Sequence, residues 1–322
     1  LLNPFRISSV LAVLAGKLSM WFKNIRLYCL NEALRVSPEE LEQKLTDQIF
    51  HPCSSHDKSK YGWISPLGKE GEMLTHVQGD YIMLCAQKQE KILPTSVINE
   101  ATDEKVAELE ERQGRKIYRK EKRQIRDDVF VSLLPRAFTR NQQTFAYISG
   151  KDNLIVVNSS SAPKAEALLS LLRESLGSLK VSLPDANRAP SDVMTRWLKE
   201  RHASDHFLID EDCELYNPTD GSNIVRCKGQ DLFSDEIESH LEAGKQVKNL
   251  GVTWNSILSC ALGDDLSIKR LKFVGMKQEE ASEEIESAAQ KFDQEFAVMT
   301  LELSGFFKSF FEAFGGLQDP KE

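Results

Sequence analysis

Between Pro94 and Pro135 the chain carries no proline, and Ile98, Ala101, Val106, Leu109, Ile117, Ile125, Val129 and Leu133 recur there largely at helical spacings. This stretch reads as a helical region that Gly114 either divides or bends. Strand-like runs stand on both sides of it. Before it, WFKNIRLYCL and GDYIMLCAQKQEKILP read as strands. Between those two, VSPEELEQKL predicts a helix over 38–49, with Ser37 placed to cap, Pro38 at the first helical position and Glu40 able to reach back. After it, TFAYIS and NLIVVNS flank Gly150-Lys151-Asp152 as a hairpin, and SSSAPKAEALLSLLRESLGSL reads as a capped helix ended by Gly177.

Beyond the linker candidate VSLPDANRAP (181–190) come a helical SDVMTRWLKE, a strand-like IVRCKGQDL and a helix from Ser234 ended by Gly244. VTWNSILSCAL and LSIKRLKF follow around Gly263-Asp264-Asp265, and 278–314 reads as one or two amphipathic acidic helices. The succession is not a regular βαβ alternation, so an α+β fold is expected rather than a doubly wound sheet. The expected organisation is an extension outside the fold (1–19), an N-terminal αβ module (20–94), a helical region with a basic run (95–140), a ββα module (141–180) and a C-terminal α+β domain (181–322). Arg6 and the apolar run 7–15 have something of a signal peptide, but Ser8 and Ser9 interrupt the run and MWFKN at Met20 offers a plausible chain start. No run approaches the ~20 apolar residues of a membrane span. The six cysteines form no C-x-x-C pair, and several sit in apolar strand-like runs, which suits buried thiols in the cytoplasm.

Catalytic signatures are missing. Gly16-Lys17, Gly68-Lys69, Gly150-Lys151 and Gly244-Lys245 are all followed by the wrong residue for a phosphate-binding loop. The only Pro-Asp, Pro184-Asp185, has no acid-x-Lys downstream except Asp319-Pro320-Lys321, which argues against a metal-dependent nuclease of that kind. His202 and His206, four apart, could offer two ligands from one helix face, but a solvated helix end suits them better because no third ligand stands out. Asp210-Glu211-Asp212, Asp127-Asp128 and Asp264-Asp265 read as loop, helix-edge and turn residues. Neither a catalytic group nor a metal or other cofactor is expected.

Charge is the informative property. The chain has a formal charge of −8, yet RKIYRKEKRQIR (115–126) carries seven Lys or Arg and one acid, Glu121. In a helix, Lys116, Arg119, Arg123 and Arg126 fall on one arc with Lys120 and Lys122 flanking it. Such a face suits a polyanion such as DNA, since neutralised phosphates release counterions; it also suits plain solvation. A second cluster is LSIKRLKF, where strand alternation would put Arg270 and Lys272 on one face and Lys269 with Leu271 and Phe273 on the other. A third, VRCKGQ, has Arg226, Lys228 and Gln230. Acids gather elsewhere, seven against one Lys from Glu279 to Glu295. Charge is thus segregated along the chain.

After the basic run comes SLLPRAFTR. With MWFKN, LTHV, EKILP, ALLSLLRESLGSL, the block at 230–245, KRLKF, and MTLEL followed by Gly315-Gly316, it makes the chain from Met20 onward resemble the RdgC family of bacterial recombination-associated proteins. The segment 213–223 and the charge pattern of 115–126 match less closely. The resemblance implies a horseshoe-shaped, multi-domain α+β subunit with mixed sheets and a projecting helical region. Two subunits would close into a dimeric ring around DNA. It implies non-specific binding of single- and double-stranded DNA, restraint of RecA-promoted recombination, nucleoid association and a link to replication, without catalysis or cofactor. The candidate DNA-binding residues are Lys116, Arg119, Lys120, Arg123, Arg126, Arg136, Lys228, Gln230, Lys269, Arg270 and Lys272. Phe138, between Arg136 and Arg140, is either a core ring or an anchor for the partner subunit; the resemblance favours the anchor. Two other classes stay open: a metal-dependent nuclease or other DNA-processing enzyme, and an acidic interaction protein whose basic run pairs with its own acidic tail.

Overall fold

A computed structural model of the chain describes residues 21–34, 36–274 and 288–318. The expected extension at 1–19 and the stretch 278–287 of the expected acidic helices lie outside the described residues. The first half of the chain contains β1 (Ile25–Leu30), α1 (Pro38–Thr46), β2 (Ser59–Ile64), β3 (Thr75–Gln78), β4 (Tyr81–Ile92), α2 (Thr95–Gln113) and α3 (Arg119–Leu133). There follow β5 (Phe138–Ser149), β6 (Leu154–Asn158), α4 (Ala162–Leu176), β7 (Val181–Ser182) and α5 (Pro190–Glu200). The remainder is β8 (Phe207–Tyr216), β9 (Ile224–Cys227), α6 (Asp235–Glu242), β10 (Gln246–Trp254), β11 (Leu258–Gly263), β12 (Ile268–Phe273) and α7 (Ala288–Ala313).

The strands make one sheet in the order β2-β4-β5-β6-β1-β12-β11-β10-β8-β9, with β3 on β4 and β7 on β1. Every pairing between these strands is antiparallel, where mixed sheets were expected. The reason lies in the connections: β3–β4, β5–β6, β10–β11 and β11–β12 are joined by tight turns, which allow only antiparallel neighbours. The run VTWNSILSCAL is two strands, because Asn255 (φ 46°) and Ser256 (φ 57°) form a left-handed hairpin turn in its middle. Asp210-Glu211-Asp212, expected in a loop, belongs to β8.

The cap expected at α1 forms through Ser37 and Pro38, but Glu40 pairs with Lys44 instead of reaching back, and Ser161 and Ser234 make no side-chain cap to α4 and α6. Ser37 Oγ accepts the Glu40 N–H at 3.2 Å, Pro38 opens α1, and Leu41 and Leu45 bury its inner face. The Glu40 carboxylate lies 3.6 Å from Lys44 Nζ, one turn on. Gly114 (φ 63°) and Gly177 (φ 80°) end α2 and α4 in the left-handed conformation that glycine adopts without strain.

The sheet's two halves are covered differently. Around β2-β4-β5-β6-β1, α1 and α4 pack on one face through Leu41, Leu45, Leu168 and Leu172, against Trp63, Ile155 and Val157. On the other face lies α7, whose buried Phe292, Phe296, Met299, Leu303, Phe306 and Phe310, continued by Phe314 just after its end, recur at spacings of three and four. That stripe begins beside His76 and Tyr147 and ends against Trp254 and Trp197, so one helix of roughly 39 Å spans both halves. In the sheet itself the halves meet at one registered pair, Ile25 with Ile268. The expected linker 181–190 is pinned: β7 pairs with β1, and the Asn187 and Arg188 N–H groups donate to the Gly316 and Phe314 carbonyls, each at 3.0 Å. Beyond β1 the half formed by β12-β11-β10-β8-β9 carries α5, α6 and α7 on one face, and its other face is polar and bears no helix among the described residues.

Candidate nucleic-acid interface

The helical region of 95–133 is an antiparallel helix pair. Its first helix has 19 residues, a reach of about 28 Å, yet buries only Ile98 and Thr102 near its start; its second buries none. The pair therefore stands out from the core, anchored at its base by Ile98 and Leu134. Lys122 Nζ bridges to Asp103 at 2.6 Å and Arg126 Nε donates to Asn99 Oδ1 at 3.5 Å, both across to α2.

The tip is braced by acids. Arg115 donates through both terminal nitrogens to Glu121, at 2.8 and 2.9 Å, and Glu121 also accepts the Tyr118 N–H at 3.1 Å. The Ile117 N–H donates to Glu110 Oε1 at 2.7 Å. The Arg115 guanidinium, aided by the Tyr118 N–H, holds the Glu121 carboxyl at about 2, below its ordinary value of 4.5. The only acid of the basic run is thus engaged by Arg115. Lys116, Arg119, Lys120 and Arg123 are exposed, and their side chains make no ion pair or hydrogen bond among the described residues. Lys116 is not on the helical arc expected of it, because Tyr118 is extended (φ −82°, ψ 161°) and α3 begins only at Arg119.

At the base, Arg136 is exposed in the 3-10 turn Leu134–Arg136. Phe138 is 85% exposed, facing Ile92 across the β4–β5 ladder; Ile92 is itself 43% exposed. The core alternative for Phe138 is therefore excluded.

Of the other candidates, Lys269, Arg270 and Lys272 lie on β12, and Lys228 and Gln230 in the turn after β9. Arg270 has φ 55°, and between Lys269 and Lys272 the strand carries one residue more than β11 opposite, a bulge. The bulge breaks the expected alternation. Lys269 and Lys272 pair with Ala261 and Ser259, so both side chains share the open face, while Leu271 turns inward. The cations here are interleaved with acids: Arg270 with Asp212 (2.6 Å), Arg226 with Glu214 (3.0 Å) and Lys248 with Glu214 (4.0 Å). Lys269 Nζ donates to Asn249 Oδ1 at 3.1 Å. Burial pushes the Asp212 carboxyl up, but the Gly229 N–H and the Arg270 guanidinium more than offset it and hold the group low. Asp210 is pushed up by burial and by the neighbouring acids, against a hydrogen bond from Thr253. Lys228 is exposed, and Gln230 Nε2 donates to Glu236 at 2.9 Å.

The candidates thus fall into two separate groups, one on the helix pair and the turn after it, the other on β12 and beyond β9. Arg26, which pairs with Asp265 at 3.1 Å, and Lys248 join the second group, though no local charge run marked them. His202 follows the end of α5, and His206 (φ 74°) bonds Asn255 at 3.0 Å, so the two do not share a helix face. No group of three or more His, Cys, Asp or Glu side chains among the described residues could hold a metal ion. Four cysteines are buried, two are half-buried, and all six are free. No helix among the described residues is long and apolar enough to cross a membrane.

A family model described as "Putative exonuclease, RdgC" matches residues 20–317. The recombination-associated protein RdgC of Aeromonas hydrophila is 44% identical over 299 residues, covering 92% of this chain and 98% of that protein. The proteins of the same name from Pseudomonas entomophila and Proteus mirabilis are 43% and 44% identical, each aligned over 99% of its own length. With one family model and full-length relatives agreeing over everything from Met20 to Leu317, the chain belongs to the RdgC family.

Proposed function

We propose that the protein is a sequence-independent binder of single- and double-stranded DNA that closes around DNA as a dimeric ring. By occupying the DNA it restrains RecA-promoted strand exchange, acting in the cytoplasm at the nucleoid and supporting replication there. The observation that carries this reading is the tip of the α2–α3 pair, where Lys116, Arg119, Lys120 and Arg123 stand without side-chain partners among the described residues, in a chain of net charge −8. Cations held clear of the body, with no acid among the described residues engaging them, are available to phosphates. Nothing about them distinguishes one base from another. The names of the relatives, recombination-associated proteins, support the setting. Phe138, exposed beside Arg136 and Arg140, supports ring closure through a self-complementary contact.

With roughly six phosphates neutralised, log affinity should fall with log salt at a slope of about −5, alike for unrelated sequences. Fluorescence anisotropy over a salt series measures this, and a flat response or one strongly preferred sequence would sink the proposal. A second reading, a nuclease, is favoured by the family model's description. Incubation with labelled plasmid, with and without Mg²⁺, separates the two: a mobility shift without cleavage supports the binder, and cleavage supports the enzyme.

A further inference from the structure

We propose that Tyr118 is a stacking platform for an unpaired nucleobase, so that the tip of the α2–α3 pair takes single-stranded DNA in a manner that duplex DNA cannot match. The inference rests on the DNA-binding reading above and specifies the substrate state that this tip recognises. Tyr118 is 73% exposed, whereas the other five tyrosines of the chain are buried or half-buried. An aromatic ring so displayed loses apolar contact that a core position would have given it. Its backbone is nevertheless fixed: its N–H donates to Glu121 Oε2 at 3.1 Å and its carbonyl accepts the Lys122 N–H at 2.9 Å. The Arg115–Glu121 ion pair locks the same turn. The turn that displays the ring is therefore fixed before any ligand arrives, which spares backbone ordering entropy on binding.

On either side of it stand Lys116 and Arg119, both without side-chain partners among the described residues. Cations that follow a phosphate backbone, with an aromatic face between them, are the two components of sequence-tolerant single-strand recognition. In a duplex the base faces are already stacked on one another, so the ring has nothing to cover and only the cations act. Strand ends, gaps and junctions would offer what the ring needs.

The test compares wild type, Tyr118→Ala and Tyr118→Phe for a thymidine oligonucleotide and for a duplex of equal length. Tyr118→Ala should lose about tenfold in affinity for the oligonucleotide relative to the duplex, and Tyr118→Phe, which keeps the ring, should lose little. Ultraviolet irradiation of the wild-type complex with a 5-iodouracil-substituted oligonucleotide should crosslink Tyr118. An equal loss for both DNAs, no loss for either, or a crosslink confined to other residues would overturn the proposal while leaving DNA binding intact. If the wild type bound neither DNA, the functional reading itself would fall.

Discussion

Glu121 organises the basic run through one carboxylate that binds the Arg115 guanidinium and the Tyr118 N–H together. Its folded value of about 2 lies below the ordinary 4.5, so between these values the folded tip binds fewer protons than the unfolded chain. Its contribution to stability is complete above about 4.5 and is lost as pH falls toward 2. A carboxyl-carbon NMR titration should place the Glu121 midpoint near 2 and raise it toward the ordinary range in Arg115→Gln, which leaves only the Tyr118 N–H to hold it down. An unchanged midpoint in that variant would show that the ion pair does not set the tip. Residue identity revealed which groups were charged but not which were already engaged. Seven cations look alike in the sequence, yet Arg115 and Lys122 are bound to acids and Arg126 reaches Asn99. Glu121 is near in sequence, whereas Asp103 lies 19 residues away and becomes a neighbour only when the helix pair closes. Arg270 was likewise misplaced because a bulge depends on the partner strand, which local alternation does not include.

The α2–α3 pair has two apolar anchors at its base and none at its tip, an arrangement that positions charge well and stabilises the element little. Replacing Lys116, Arg119, Arg123 and Arg126 with Gln should weaken binding to every sequence alike and flatten the salt slope by about one unit per lost phosphate contact. These side chains are exposed, so each change should cost within about 0.5 kcal/mol of stability. A folded quadruple variant with unaltered affinity would return the face to plain solvation. Elements were legible where local signals are strong: the Ser37–Pro38 start of α1, the Gly114 and Gly177 stops, the β5–β6 hairpin. β2 and β3 carried no such signal. β8 was hidden by three consecutive acids, which the strand accommodates because 210–212 stand opposite the single residue Gly251 in a bulge and its outer face is open to water.

At the scale of the whole molecule, Phe138 lies on an exposed strand end, 85% accessible, and contributes little to the core. Phe138→Ala should therefore leave the melting temperature nearly unchanged yet weaken self-association by about tenfold or more, as loss of a buried aromatic anchor does. Sedimentation equilibrium reads the first effect on assembly, and retention of closed circular against linearised plasmid reads ring closure. A folded variant that associates as wild type does would remove Phe138 from the interface. The core that holds the chain together has a different arrangement, because α7 lies over strands from both ends of the chain. That arrangement has a cost during synthesis. Phe22, Met83, Tyr147 and Val156 form an apolar face that is complete once β6 has left the ribosome, but the helix that covers it is made more than a hundred residues later. At about 5–20 residues per second the face waits about seven to thirty seconds. Through that interval a nascent chain displays a half-covered sheet, so a chaperone that shields it should raise the yield of native protein far more than one acting after release.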